Sequence, residues 1–239
     1  MRNPPNPWEV YRKHWDPRGR AGYFRFLAAT PTGYLADDHE YWNDFPHKSI
    51  WLTWTGGGMS NPVGRAADEA FELYQAALNP APGEEGSLPL AARQFCRSFQ
   101  FAVPPLSFFV LDSRTGRTFY TDKNPGFIRQ TLRPGTRLPG AGQAAGAKPE
   151  LDALRAWVQG LEGPGILIVS QPLVETPASS FTRFFHSMGD LNLPDYGRDY
   201  LDVWQAILRS SHNVLVLTGD IHCSRLTRVQ PVGVPGASG

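Results

Sequence analysis

The sequence predicts an α/β protein in which helices cover a layered sheet. Three observations lead there. Three short apolar runs read as strands: Leu106–Leu111 (LSFFVL), Gly165–Ser170 (GILIVS) and Asn213–Thr218 (NVLVLT). Three stretches with apolar residues at helical spacing read as amphipathic helices. The last two of these helices each run into a strand through a short connection, which is the helix-then-strand rhythm of α/β architecture.

Each strand candidate is bounded by Pro, Gly, Asp or Ser. Its apolarity is continuous rather than alternating, which predicts strands covered on both faces. The first helix is predicted over Arg65–Leu78, where Ala67, Ala70, Phe71, Tyr74, Ala77 and Leu78 share a stripe and Asn79-Pro80 stops it. The second, Glu150–Leu161, carries Leu151, Leu154, Trp157, Val158 and Leu161 and ends at Gly163-Pro164-Gly165. The third, Asp199–Ser210, carries Tyr200, Leu201, Trp204, Ile207 and Leu208.

Three segments read as loops. Arg133–Pro149 is rich in Gly, Ala and Pro with almost no apolar anchor, and Asn79–Gly86 is a shorter one. Thr55–Asn61 (TGGGMSN) reads as mobile. It is no phosphate cradle, since neither Lys-Ser nor Lys-Thr follows it.

At 239 residues the chain is read as one domain, 1–239, long enough for a real core. Lys and Arg number 23 against 22 Asp and Glu, so the formal net charge of +1 argues against specific nucleic-acid binding. A hydrophobic share of 41% argues against an acidic disordered chain. Gly and Pro, 24 and 22 residues, mark a loop-rich protein. Cys96 and Cys223 fit neither a disulfide framework nor a zinc pattern, and Cys223, directly after His222, reads as a buried structural thiol ahead of a soft ligand or a nucleophile. No apolar run is long enough for a membrane span, and the first residues hold no signal peptide. The expected compartment is therefore the cytoplasm as the chain is written, or outside it if a segment is missing from the start.

Polar clusters follow the strand-like segments, where α/β proteins hold ligands. Asp37-Asp38-His39-Glu40 puts three carboxylates and an imidazole in four residues. Such a cluster suits a cation or a positive substrate, and equally a turn or a helix cap. Gly219-Asp220-Ile221-His222 follows the last strand, and Asp220 and His222 share a side in an extended segment. An oxygen ligand with an imidazole suits Zn, Mn or Fe, while the alternative is a strand-ending turn with a satisfied histidine. Gln171, after the second run, suits a neutral ligand or a turn. Arg114 and Arg117, after Asp112, suit an anion clamp or a structural pair with Asp112. There is no Gly-x-Ser-x-Gly elbow, no second zincin histidine (Asn43 stands there) and no Gly-x-Gly-x-x-Gly opening a helix.

Taken in order, four segments resemble the alkaline phosphatase D (PhoD-like) family of the metallophosphoesterase superfamily. They are Leu35-Ala36-Asp37-Asp38-His39-Glu40 with Asn43-Asp44, Phe108–Arg114, Val169-Ser170-Gln171-Pro172, and Leu217-Thr218-Gly219-Asp220-Ile221-His222. The resemblance implies a four-layered α/β/β/α sandwich with a metal centre at strand ends. It implies Asp38, Asp220 and His222 as metal ligands, with Gln171 as a further one. It assigns His39 to the transition state and Arg114 to the phosphate. The implied reaction is attack of metal-bound hydroxide on a phosphate ester, mono- or diester, with Ca, Fe, Zn or Mn as the metal.

The resemblance also places an Asp-x-His and a Gly-Asp-x-x-Asp motif upstream. The 36 residues before Asp37 hold one aspartate, Asp16, and no Gly-Asp pair. The expectation is thus a domain lacking the family's N-terminal part. The second expectation, from another class, is a non-catalytic binding module, with Trp42, Trp51 and Trp54 as an apolar contact surface or as core.

Overall fold

The computed structural model describes residues 4, 6–14, 27, 29–48, 52–79, 97–118, 149–174, 196–219 and 226–229. In chain order these form α1 (Pro7–His14), α2 (Pro62–Tyr74), β1 (Phe99–Val103), β2 (Leu106–Leu111), α3 (Pro149–Gln159), β3 (Gly165–Val169), α4 (Gly197–Leu208) and β4 (Val214–Thr218). Short 3₁₀ turns lie at Asp38–Glu40, Gly58–Ser60 and Ala76–Leu78. The fold is mixed α/β, as expected. The predicted loop Arg133–Pro149 falls outside the described residues except Pro149, which opens α3.

The strands form one mixed sheet in the order β1-β2-β3-β4. β1 and β2 are an antiparallel hairpin, whereas β2, β3 and β4 run parallel, in register Phe109↔Leu167↔Val216 and Leu111↔Val169↔Thr218. Parallel neighbours need a crossover. α4 lies between β3 and β4 in the chain, and α3 precedes β3.

One face of the sheet carries the main core. Phe109, Leu111, Leu167 and Val169 meet Leu151, Leu154, Trp157 and Val158 of α3, with Val203 and Ala206 of α4. The Trp157 indole nitrogen also donates to Ser107 Oγ at 2.8 Å, fixing α3 against β2. The approach is close enough to need glycine at 165: a Cβ there would stand 2.9 Å from both Leu161 Cδ1 and Trp157 Cη2.

The opposite face is apolar as well, with Phe101, Phe108, Ile166, Ile168, Leu215 and Leu217 brought alongside by the register. The expectation of strands covered on both faces fails at the β4 edge. Leu215 and Leu217 there are 49% and 44% exposed. Continuous apolarity marks residues that face either side of a sheet, whether or not both sides are covered.

A second cluster forms around the first half of the chain. Tyr11, Ala36, Tyr41, Trp42, Phe45, Ala67, Ala70 and Phe71 are buried together, with Tyr34, Trp54, Met59 and Tyr74 against them. Tyr41 stacks on Phe45 at 4.0 Å, and Trp42 meets Phe45 edge-on at 4.9 Å. Trp42 is therefore core and Trp54 packs half-buried against it, while Trp51 lies outside the described residues. No helix among the described residues is long and apolar enough to cross a membrane.

Candidate functional site at the C-terminal strand ends

The acidic segment arrives in extended backbone. Asn79, just past the turn that ends α2, holds Tyr34 by both backbone groups: its side chain accepts from the Tyr34 amide at 2.6 Å and donates to the Tyr34 carbonyl at 2.9 Å. Ala36 is then buried, and Asp38–Glu40 turn as a 3₁₀ helix. The Glu40 carboxylate reaches back to the Asp37 amide at 2.8 Å, which closes the turn at its start. Burial pushes the Glu40 carboxyl above its ordinary value, against the backbone amides of Asp37 and Glu40 that favour its charged form.

Within the turn the two central side chains part. Asp38 is 3% exposed and accepts the Asp44 amide on Oδ2 at 2.9 Å. Asp44 has φ of 67°, a left-handed geometry that aspartate tolerates better than most residues, and its amide meets Asp38. His39 points outward with 69% of its side chain exposed, its Nε2 3.9 Å from Asp38 Oδ1.

Arg114 comes from the loop after β2, 77 residues from Asp37 in the chain. It is fully buried. Its Nε and Nη2 donate to Asp37 Oδ1 at 3.1 and 2.7 Å, and its Nη1 donates to the Phe45 carbonyl at 2.9 Å. The expected structural pair with Asp112 is present only through the backbone. Asp112 Oδ1 accepts the amides of Arg114 and Thr115 at 2.9 and 3.0 Å, and Oδ2 accepts the Thr115 hydroxyl. The carboxylate thus shapes the loop, while the guanidinium ties the acidic turn to the sheet.

The loops after β2 and β3 are joined in the same way. Ser113 and Ser170 hydroxyls are 3.0 Å apart. Arg117 donates from Nε and Nη2 to the Ser113 carbonyl at 3.1 and 3.0 Å, and from Nη2 to Gln171 Oε1. Its guanidinium lies 5.2 Å from the centre of the Tyr196 ring. The Gly219 amide, leaving β4, donates to the Ser170 carbonyl at 3.1 Å.

Of the residues singled out by sequence, Asp38, His39, Arg114 and Gln171 are described, and all belong to this convergence of loops. Asp220, His222, Cys96 and Cys223 lie outside the described residues. Among the described residues no three His, Cys, Asp or Glu side chains are grouped to hold a metal. Asp38 has the buried carboxylate such a role needs. Gln171 is buried, and its amide oxygen accepts from the Arg117 guanidinium.

Sequence reasoning missed the partners that build the site. Thr55–Asn61 is an ordered support rather than a mobile loop. Gly56, Gly57 and Gly58 have φ of 98°, 80° and 51°, and Asn61 donates to the carbonyls of Trp54 and Gly56 at 2.8 and 2.9 Å while accepting from Val63 to start α2. Tyr41, Asp68 and Arg97 were not singled out either, yet they form a hydrogen-bonded group behind the acidic turn. Burial, with the Asp68 carboxylate beside it, holds the Tyr41 phenol well above its ordinary value. A comparison of the chain with family models, curated proteins and solved structures finds no match.

Proposed function

We propose that this chain is a metal-dependent phosphoesterase of the PhoD-like type, acting on phosphate mono- or diesters. The observation that carries the reading is the Arg114–Asp37 tie, 2.7 Å long, which holds the Asp37–Glu40 turn at the C-terminal ends of parallel strands. Ligands gather at that edge of α/β sheets. Further support is that β4 leads to the same edge immediately before Asp220 and His222, through the Gly219 to Ser170 bond.

In this reading Asp38, Asp220 and His222 hold the metal, which when bound supplies an activated hydroxide and neutralises charge on the phosphoryl group. His39, exposed on the turn beside Asp38, gives its proton to the leaving oxygen. Arg114 acts by holding Asp37 in place rather than by clamping phosphate, since its guanidinium is buried and bonded within the protein. The α/β/β/α sandwich belongs to the same reading: the apolar face of Phe101, Phe108, Ile166, Ile168, Leu215 and Leu217 is the surface a second sheet would pack on.

A non-catalytic module is the second reading. What favours it is that Arg114 and Gln171 are both bonded to protein groups. Metal content of the purified chain, with hydrolysis of p-nitrophenyl phosphate and bis-p-nitrophenyl phosphate across added Ca, Fe, Zn and Mn, separates the two. Bound metal with turnover is expected, and neither metal nor turnover under any of these conditions establishes the module instead. In an active chain, His39→Ala should lower kcat by about a hundredfold with metal content unchanged.

A further inference from the structure

The acidic turn is gripped at both ends by polar contacts that are joined through the chain where Ser98 adjoins Arg97. At its start Asp37 is held by Arg114, whose amide is held by Asp112. The Asp112 amide donates to Ser98 Oγ at 2.9 Å, and Ser98 adjoins Arg97. Arg97 donates from Nη1 and Nη2 to the two Asp68 oxygens at 2.6 and 3.1 Å, with Glu72 3.2 Å from Nη2. Tyr41, which ends the turn, donates its hydroxyl to Asp68 Oδ1 at 2.8 Å, so the circuit closes on the turn where it began. The Arg97 amide is bonded in addition to Glu150, at the start of α3.

We propose that Tyr41, Asp68 and Arg97 are positioning residues for Asp38 and His39, acting through the far end of the turn. The inference rests on the phosphoesterase reading for its catalytic part. A three-residue 3₁₀ turn has too few bonds of its own to keep a fixed orientation. A working site needs its groups held within about 0.5 Å. The Arg97 side chain is only 12% exposed, and a buried ion pair adds little net stability over apolar packing. Its value here lies in geometry: a bidentate pair from α2 to the start of β1 fixes the Asp68 oxygen to which the Tyr41 hydroxyl donates, and Arg97 Nη1 donates to that hydroxyl at 3.5 Å. The alternative is that the three residues only stabilise the fold.

The test uses the full chain carrying Tyr41→Phe, which removes one hydroxyl and keeps the ring stacked on Phe45. Asp68→Asn serves as a second variant, and Tyr11→Phe as control, because Tyr11 shares the same buried cluster but its hydroxyl donates to Gln75 rather than to Asp68. Amide hydrogen exchange is followed at Tyr41 and Asp44, whose N–H groups bond Asp38. Exchange there should accelerate by roughly tenfold in Tyr41→Phe and Asp68→Asn, with interior α2 amides at wild-type rates. With p-nitrophenyl phosphate and metal, kcat should fall by about tenfold or more, and KM should stay within about twofold. Wild-type exchange at both amides, or wild-type kcat in an active chain, overturns the positioning role. A wild-type chain without turnover overturns the phosphoesterase reading instead, and the exchange result still decides whether the circuit holds the turn.

Discussion

The two buried clusters are built on different principles. The core under α3 and α4 is mostly aliphatic, set on strands whose backbone bonds are met by neighbouring strands. The cluster under the acidic turn is mostly aromatic, set on α1, α2 and the loops beside them, and its loop backbone is met by side chains: Asn79 on Tyr34, Asn61 on Trp54 and Gly56, Arg114 on Phe45. In the first, packing determines position and the polar groups look after themselves. In the second, a few side-chain bonds determine position and the rings fill what is left. Loops that bear reactive groups need the second kind, because buried backbone with no ladder partner must be satisfied by side chains.

This contrast can be broken experimentally, beginning where the effect is greatest. Leu154→Ala in α3, fully buried, should cost about 4 kcal/mol in urea unfolding and shift the whole transition. Arg114→Leu should cost about 3 kcal/mol, since it leaves the Phe45 carbonyl and Asp37 without their buried partner. If the contrast is right, its first sign is a change in Trp42 and Trp54 fluorescence at denaturant levels that leave the α3 region intact. A loss spread evenly over both clusters would make them one cooperative unit. Asn61→Ala should cost about 1–2 kcal/mol, through the α2 cap and two loop carbonyls together. Leu215→Thr, on the exposed face of β4, should change stability by about 0.5 kcal/mol or less, and a larger loss would show that this face is packed in solution.

The same contrast explains what was legible in the sequence. β2 is predicted to the residue, β3 and β4 to within one, and α3 and α4 to within two, because periodicity is a local property and the aliphatic core uses it. α2 begins three residues earlier than expected, at Pro62, since the Asn61 cap and a first-turn proline outweigh the onset of its apolar stripe. β1 was missed, as Gln100 interrupts a run of five that ends at Pro104-Pro105, and α1 was missed because its residues are mostly polar or charged. In the site, the acidic turn and the strand-end loops could be found from composition alone. The partner of Arg114 could not, because Asp112 is two residues away and Asp37 is 77 away. The glycines of Thr55–Asn61 carried the opposite message from their role: freedom of φ is also what lets a chain hold one unusual path once an asparagine closes it.

Strand order in the sheet equals strand order in the chain, and this matters in time as well as in space. Among the described strands, each one leaving the ribosome pairs with the one made just before it, so none of them must be inserted between two that have already met. β1 and β2 close first as a hairpin, β3 then adds with α3, and β4 is laid on last with α4. Among the described strands, the partly built sheet ends at each stage in the strand that awaits the next, and that edge stays open while the chain from Leu111 to Gly165, and then from Val169 to Val214, is made.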